Sequence, residues 1–323
     1  PPPPPPPPVF SIRIRHTRYQ VWSRGLGDVY KRQLLPVSPT RSQLFPALSL
    51  FSLDLPQSGT IVVVIILVAR CDQFSDNHIR EIYIMKIKLM IATMLLLIPL
   101  AASGAPVVYE VDGKEYEGYY KKAGKGKPLL IMVHDWDGLT DYEVKRAEML
   151  AEQGYNVFGV DLFGKGVRPT ETEHKKLLTG DLYKDRQRMR SIFETAFAEA
   201  QKLNGESSEV VAFGYCFGGA VVLEMARSGL DIDGFASFHG GLQTPEGQDY
   251  SATKGKVMVF HGTADTAVSM EDFSDLAVQL ESAQKAHEMV TYSGAPHAFT
   301  VFGSNRYHEE ADRQSWRRFN GFL

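Results

Sequence analysis

Residues 105–323 read as one doubly wound α/β domain, a mostly parallel sheet with helices on both faces. Two observations predict it. Short, continuously apolar runs recur at 129–133, 157–160, 210–213, 235–238, 257–260 and 289–292, as strands buried on both faces require. Between them lie patterns of helical period at 142–153, 183–203, 218–228, 270–285 and 307–319.

The elements follow in chain order. After the opening polyproline run, residues 1–84 keep no sustained period of either kind, and Gly25-Leu-Gly-Asp-Val-Tyr-Lys-Arg-Gln33 resembles translated adapter sequence. This segment is expected to be a non-native or disordered extension. Its apolar run at 61–69 is shorter than the ~20 residues a membrane helix needs. Met85-Lys-Ile-Lys88 then supplies a short basic start, 89–100 an apolar stretch, and Ala101-Ala-Ser-Gly-Ala105 small residues suited to cleavage near Gly104. That is the order of a secretory signal peptide over 85–104. It predicts a periplasmic or secreted mature chain without stable membrane insertion. Residues 107–111 and 115–120 read as a hairpin turning at Asp112-Gly113. The polar connection 164–181 is expected to arch as a long loop over the C-terminal edge of the sheet.

Composition narrows the partners. Residues 105–323 carry 24 Lys/Arg against 33 Asp/Glu, a net of −9, whereas residues 1–84 carry nine against five, a net of +4. An acidic domain lacks the clustered positive charge that nucleic-acid binding needs. The two cysteines, Cys71 and Cys216, lie in segments of different character and do not form a disulfide framework. No His/Cys cluster has metal spacing and no glycine-rich phosphate loop opens a helix, so neither metal nor cofactor is expected. The expected partner is a small molecule.

The chemistry centres on Gly214-Tyr-Cys-Phe-Gly-Gly219, directly between a strand and a helix. This is the nucleophile elbow of the α/β-hydrolase fold with cysteine in place of serine. A turn that tight needs glycine at 214 and 218, and it sets Cys216 at the start of a helix, where the dipole favours a thiolate. The plainer reading of a free cysteine is a buried core residue; the flanking glycines and the strand–turn–helix context favour the nucleophile. His261-Gly-Thr-Ala-Asp265 follows a later strand and supplies an acid, Asp265. Gly294-Ala-Pro-His297 follows the last strand and supplies a base, His297. The order Cys216, Asp265, His297 is the nucleophile–acid–histidine order of this fold. The backbone N–H of Phe217, and that of Trp136 in the loop after the first parallel strand, are the candidate oxyanion donors. Asp135 sits beside Trp136, where a negative charge opposes an oxyanion unless it has a task such as taking the thiol proton.

Together, His134-Asp-Trp-Asp-Gly-Leu139, residues 155–166, the cysteine elbow, Asp265 and Pro296-His-Ala-Phe299 resemble the dienelactone hydrolase (carboxymethylenebutenolidase-like) family. The resemblance covers about residues 107–323. It implies a Cys–His–Asp triad acting on a lactone or ester, and an acidic residue beside the oxyanion hole that helps ionise the thiol. That residue is usually glutamate in the family, and here it is the shorter Asp135. Enzymes of the family acting on the dienelactone also place an arginine just after the catalytic histidine, where this chain has Thr300 and Val301.

Other residues are weaker candidates. His134 and His239 follow strand ends at the same edge and are candidate pocket-lining, substrate-binding residues, though bonding to nearby backbone would explain them equally well. Arg186 and Arg190 share a helix face at i, i+4, which reads as solvated. The sequence thus predicts a cysteine-dependent hydrolase of small esters or lactones. A thioesterase or acyl transferase would use the same triad. A silent binding protein would have no need of one.

Overall fold

The computed structural model of the chain describes residues 81, 82, 84–86, 104–205 and 209–323. The expected extension over 1–84 and export segment over 85–104 lie almost entirely outside these residues. By its contacts the chain divides between Leu95 and Leu96, and every element below belongs to the second unit.

The strands are β1 (Ala105–Val111), β2 (Lys114–Lys121), β3 (Leu129–Val133), β4 (Asn156–Val160), β5 (Val210–Tyr215), β6 (Gly234–Phe238), β7 (Lys256–Gly262) and β8 (His287–Tyr292). The helices are α1 (Asp141–Glu152), α2 (Thr172–Lys184), α3 (Arg186–Asn204), α4 (Phe217–Arg227), α5 (Met270–Ser282) and α6 (Glu309–Asn320). The eight strands form one sheet in the order β1-β2-β4-β3-β5-β6-β7-β8. The first two pair antiparallel, with Val111 opposite Lys114, and the turn between them holds Asp112 at φ 51° and Gly113 at φ 76°. Two positive φ values in a two-residue turn are what an Asp-Gly hairpin provides. β2 meets β4 antiparallel; β4, β3, β5, β6, β7 and β8 run parallel.

Alternate residues of the parallel strands face opposite layers, so runs that look uniformly apolar are divided between two cores. Leu129, Ile131 and Val133 of β3 join one core with Met189, Ile192, Phe193, Ala196 and Ala200 of α3 and the apolar residues of α4. Leu130 and Met132 join the other with Ala147 and Leu150 of α1 and Phe319 of α6. The spacing of the α3 residues is one helical stripe.

Two expectations need correction. The pattern read as one helix over 183–203, and the segment 164–181 read as a loop, resolve into α2 and α3. Asp185, at φ −113° and ψ 76°, breaks the helical path, and its carboxylate then caps α3 by accepting from Arg188 N at 3.0 Å. The α2 segment looks like a loop because only Thr179 and Leu182 along its length are buried.

β3 is the switch point of the sheet: the chain leaves it for β4 on one side and returns to β5 on the other. The loops after β3 and β5 therefore meet at the C-terminal ends of the strands, the usual place for a site in such a sheet. Among the described residues no helix is long and apolar enough to cross a membrane.

Candidate active site

The elbow stands where β5 ends and α4 begins. Cys216 occupies φ 50° and ψ −112°, a conformation L residues rarely adopt. Glycine is compulsory on both sides of it. A Cβ on Gly214 would lie 2.3 Å from Gly218 O, and one on Gly218 would lie 2.3 Å from Val133 O. The close approach of α4 to the end of β3 sets Phe217 as the first helical residue, whose N–H has no acceptor within the helix.

The structure brings the three expected residues together. His297 Nε2 is 3.1 Å from Cys216 Sγ, and His297 Nδ1 is 2.8 Å from Asp265 Oδ2. Asp265 Oδ1 accepts from Ala267 N at 2.8 Å and Val268 N at 2.9 Å, so the acid loop folds around its own carboxylate. Burial opposes the charge on His297. The hydrogen bonds to Asp265 and Cys216 outweigh it and lift the imidazole to about 10. Burial likewise opposes ionisation of Asp265, but the bond to His297 and the two loop N–H groups hold its carboxyl below the ordinary range. His297 is therefore imidazolium near neutrality, the fitting partner for a thiolate.

This sets a pH dependence of stability. A histidine whose folded pKa lies above its ordinary 6.5 stabilises fully below about pH 6.5, and that contribution is lost as pH climbs through about 10. Denaturant melts of the wild type and His297→Gln from pH 6 to 10 should show the gap between them narrowing with rising pH. A gap that stays constant contradicts this electrostatic account.

The loop after β3 is tied down from several sides. Asp135 N donates to Glu143 Oε1 at 3.4 Å and Asp137 N to Asp135 Oδ1 at 2.8 Å, so the N–H groups flanking Trp136 are both used within this region. Arg168 donates its Nε to Leu139 O and approaches Asp161 Oδ1 at 3.6 Å, linking the loop to the end of β4. From α2, Lys175 pairs with Asp137 at 2.5 Å and lies 5.2 Å over the Trp136 ring. Burial lifts the Asp135 carboxyl to about 6. Burial and the nearby Asp135 carboxylate lift Glu143 to about 8. Asp135 makes no hydrogen bond to Cys216; its carboxylate turns back onto its own loop.

Neither weaker histidine offers a ring nitrogen to a substrate, which corrects their expected role. His134 Nδ1 is 2.6 Å from Asp135 O, and its Nε2 accepts from Leu162 N at 3.1 Å. Burial drops its pKa to about 4, so the ring is neutral and structural. His239 is likewise buried, with one nitrogen on Cys216 N and the other on Thr300. Arg186 and Arg190 are not a solvated face either. Both meet the fully buried Glu224 carboxylate of α4, at 3.2 and 2.5 Å, together with Arg227 at 2.9 Å. Sequence reasoning missed Tyr183, whose ring meets Phe217 edge-on at 5.3 Å. It opened the pattern read as a helix over 183–203, and nothing local marked its contact with Phe217.

A parallel sheet reversing at β3, a cysteine elbow after β5 and a histidine loop after β8 define an α/β-hydrolase. Within that class, residues 117–323 match the Dienelactone hydrolase family, and the chain belongs to it. A protein of Salmonella typhimurium provisionally named carboxymethylenebutenolidase is 24% identical over 221 residues, covering 64% of this chain and 82% of that protein. Protein usf of Aquifex pyrophilus is 26% identical over 204 residues, covering 61% and 87%. Among solved structures, m3DLH superposes with a TM-score of 0.63 at 25% identity, covering 68% of this chain and 95% of that one. P91, a dienelactone hydrolase-like promiscuous phosphotriesterase from metagenomic libraries, gives a TM-score of 0.62 at 25% identity, covering 68% and 96%. The protein is a dienelactone hydrolase-like ester hydrolase.

Proposed function

We propose that the protein hydrolyses small esters or lactones through an acyl-enzyme on Cys216. The observation that carries this reading is the pair of contacts at His297, 3.1 Å to Cys216 Sγ and 2.8 Å to Asp265 Oδ2. The thiolate attacks the carbonyl carbon: a C–S bond forms and the carbonyl electron pair moves onto oxygen. The N–H groups of Phe217 and Trp136 receive that oxyanion. On collapse the C–O bond to the leaving group breaks, and the His297 imidazolium gives its proton to the departing oxygen. The now neutral His297 takes a proton from water as the hydroxide attacks the thioester. A second oxyanion forms, the thiolate leaves, and the acid is released. Asp265 holds the His297 ring with its proton on Nδ1 throughout.

A panel of p-nitrophenyl esters, thioesters and enol lactones tests the substrate class, with intact-mass measurement during turnover to trap the acyl-enzyme. The expected result is turnover of oxygen esters or lactones with an acyl adduct on the peptide bearing Cys216. Turnover confined to thioesters, or an adduct elsewhere, overturns the reading.

Within this reading Asp135 assists ionisation of the thiol, for which its carboxylate must leave Asp137 N and turn toward Cys216. It lies next to Trp136, and burial lifts its carboxyl to about 6. Asp135→Asn removes charge and basicity at nearly constant shape. It should lower kcat about 10²-fold and slow alkylation of Cys216. Melting temperature should hold or rise near neutrality, because a buried charge is removed. Asp135→Glu should hold or raise activity. Unchanged kcat and thiol reactivity in Asp135→Asn would make the residue a bystander.

A further inference from the structure

Cys216 and His297 sit on loops that follow different strands, β5 and β8, so their contact depends on whatever fixes the spacing between those loops. The side chain that bridges them is His239, at the end of β6. Its Nδ1 accepts from Cys216 N at 3.2 Å, and its Nε2 lies 2.8 Å from Thr300 Oγ1, three residues beyond His297. It is fully buried, and its backbone takes φ 39°, a region costly for a side chain of this size. We propose that His239 and Thr300 form a fixed spacer between the elbow and the His297 loop, and are positioning residues for the Cys216–His297 contact. This rests on the nucleophile reading above.

The donors and acceptors along the spacer run in one direction. Cys216 N–H is shared between Phe238 O at 3.0 Å and Nδ1 at 3.2 Å, so Nδ1 is an acceptor and the His239 proton resides on Nε2, donated to Thr300 Oγ1. The hydroxyl proton of Thr300 is then left for the Tyr142 oxygen, 2.7 Å away, which also accepts from Arg146 Nε at 3.3 Å. Arg146 Nη2 holds Thr300 O at 2.8 Å and Asp312 Oδ1 at 2.5 Å. The chain thus ends on a buried ion pair between α1 and α6. A protonated His239 would put a second donor against Cys216 N–H and break the sequence.

The surroundings agree with a neutral ring. The charged groups that face His239 are His297, whose ring centre is 5.5 Å away, Arg146 and Arg306, all of them cationic. Burial and the His297 charge push His239 well below 6.5. His297 is left as the one imidazolium beside Cys216. The two histidines therefore divide the work by environment: one carries charge, the other carries geometry.

The test uses the full chain with Thr300→Val, Thr300→Ser and His239→Asn. Iodoacetamide alkylation is followed by mass spectrometry on the peptide bearing Cys216, so that Cys71 does not interfere, across pH 5 to 10. The kinetic constants on a p-nitrophenyl ester are measured alongside. Thr300→Val keeps the shape and removes the acceptor. It should raise the midpoint of Cys216 alkylation by about one unit, about tenfold less thiolate below the midpoint, and lower kcat with KM little changed. Thr300→Ser should restore both. His239→Asn tolerates the backbone and can still accept from Cys216 N, but is too short to reach Thr300, so it should shift the midpoint like Thr300→Val. Wild-type midpoints in Thr300→Val and His239→Asn, or a serine variant that behaves as valine, overturn the spacer. Full activity in Cys216→Ala would instead overturn the nucleophile reading, while the alkylation midpoint reads the spacer whatever the substrate.

Discussion

Replacing Cys216 by alanine is expected to lower kcat by about 10⁴-fold or more, with little change in melting temperature. On the proposed mechanism the loss is large, because the acyl-enzyme forms on the Cys216 Sγ that lies beside His297 Nε2. The stability cost stays small for a specific reason. Cys216 is held at φ 50°, and alanine takes on the same backbone strain as cysteine, so only the contacts of one sulfur disappear. Cys216→Ser should keep the fold and recover little activity. A serine hydroxyl is far harder to ionise than a thiol, so little nucleophile forms in a setting built around sulfur. Steady-state kinetics on the substrate found in the ester panel, with a thermal melt of each variant, check this. Full turnover by Cys216→Ala would end the assignment.

Asp265→Asn is expected to cost about 10³–10⁴-fold in kcat, again without unfolding the protein. Asp265 Oδ1 is occupied by Ala267 N and Val268 N, while Oδ2 faces His297 Nδ1. An asparagine can satisfy the two loop N–H groups only with its oxygen, which aims its NH₂ at His297. Two donors then confront each other. The imidazole must give up its Nδ1 proton and keep the one on Nε2, which points at Cys216 and leaves nothing to accept a proton. The raised pKa of His297 also loses its main support, so thiol alkylation at neutral pH should slow in parallel with kcat. A change of less than tenfold in both would show that His297 is oriented by something other than Asp265.

The fold was legible because its signals are local. An Asp-Gly pair forces the hairpin turn, unbroken apolar runs mark strands buried on both faces, and glycines at 214 and 218 declare the elbow. The meeting of Cys216, Asp265 and His297 was legible for a related reason: three residues of the right types each follow a strand end, and a parallel sheet brings its strand ends to one edge. What escaped has no local signature. His134 looks like a pocket residue until Leu162 N, 28 positions on, is found on its ring. Thr300, 61 positions beyond His239, claims that histidine in the same way. Arg186 and Arg190 have the spacing of a solvated face, and only the packing of α3 against α4 reveals the Glu224 carboxylate beneath them. The break at Asp185 was hidden because an exposed helix has no apolar stripe to announce it.

The crowding around the elbow has a corollary for substitution. Gly214 and Gly218 are pinned by main-chain atoms, Gly218 O and Val133 O, which no compensating side-chain change can move aside. Any side chain at either glycine therefore meets backbone that cannot give way. Cys216 meets no such main-chain obstacle: its side chain is partly exposed, and cysteine and serine would bear the same backbone strain at φ 50°. An exchange of sulfur for oxygen at 216 would leave the turn intact while costing activity; the empty space on either side of that residue is what the turn cannot lose.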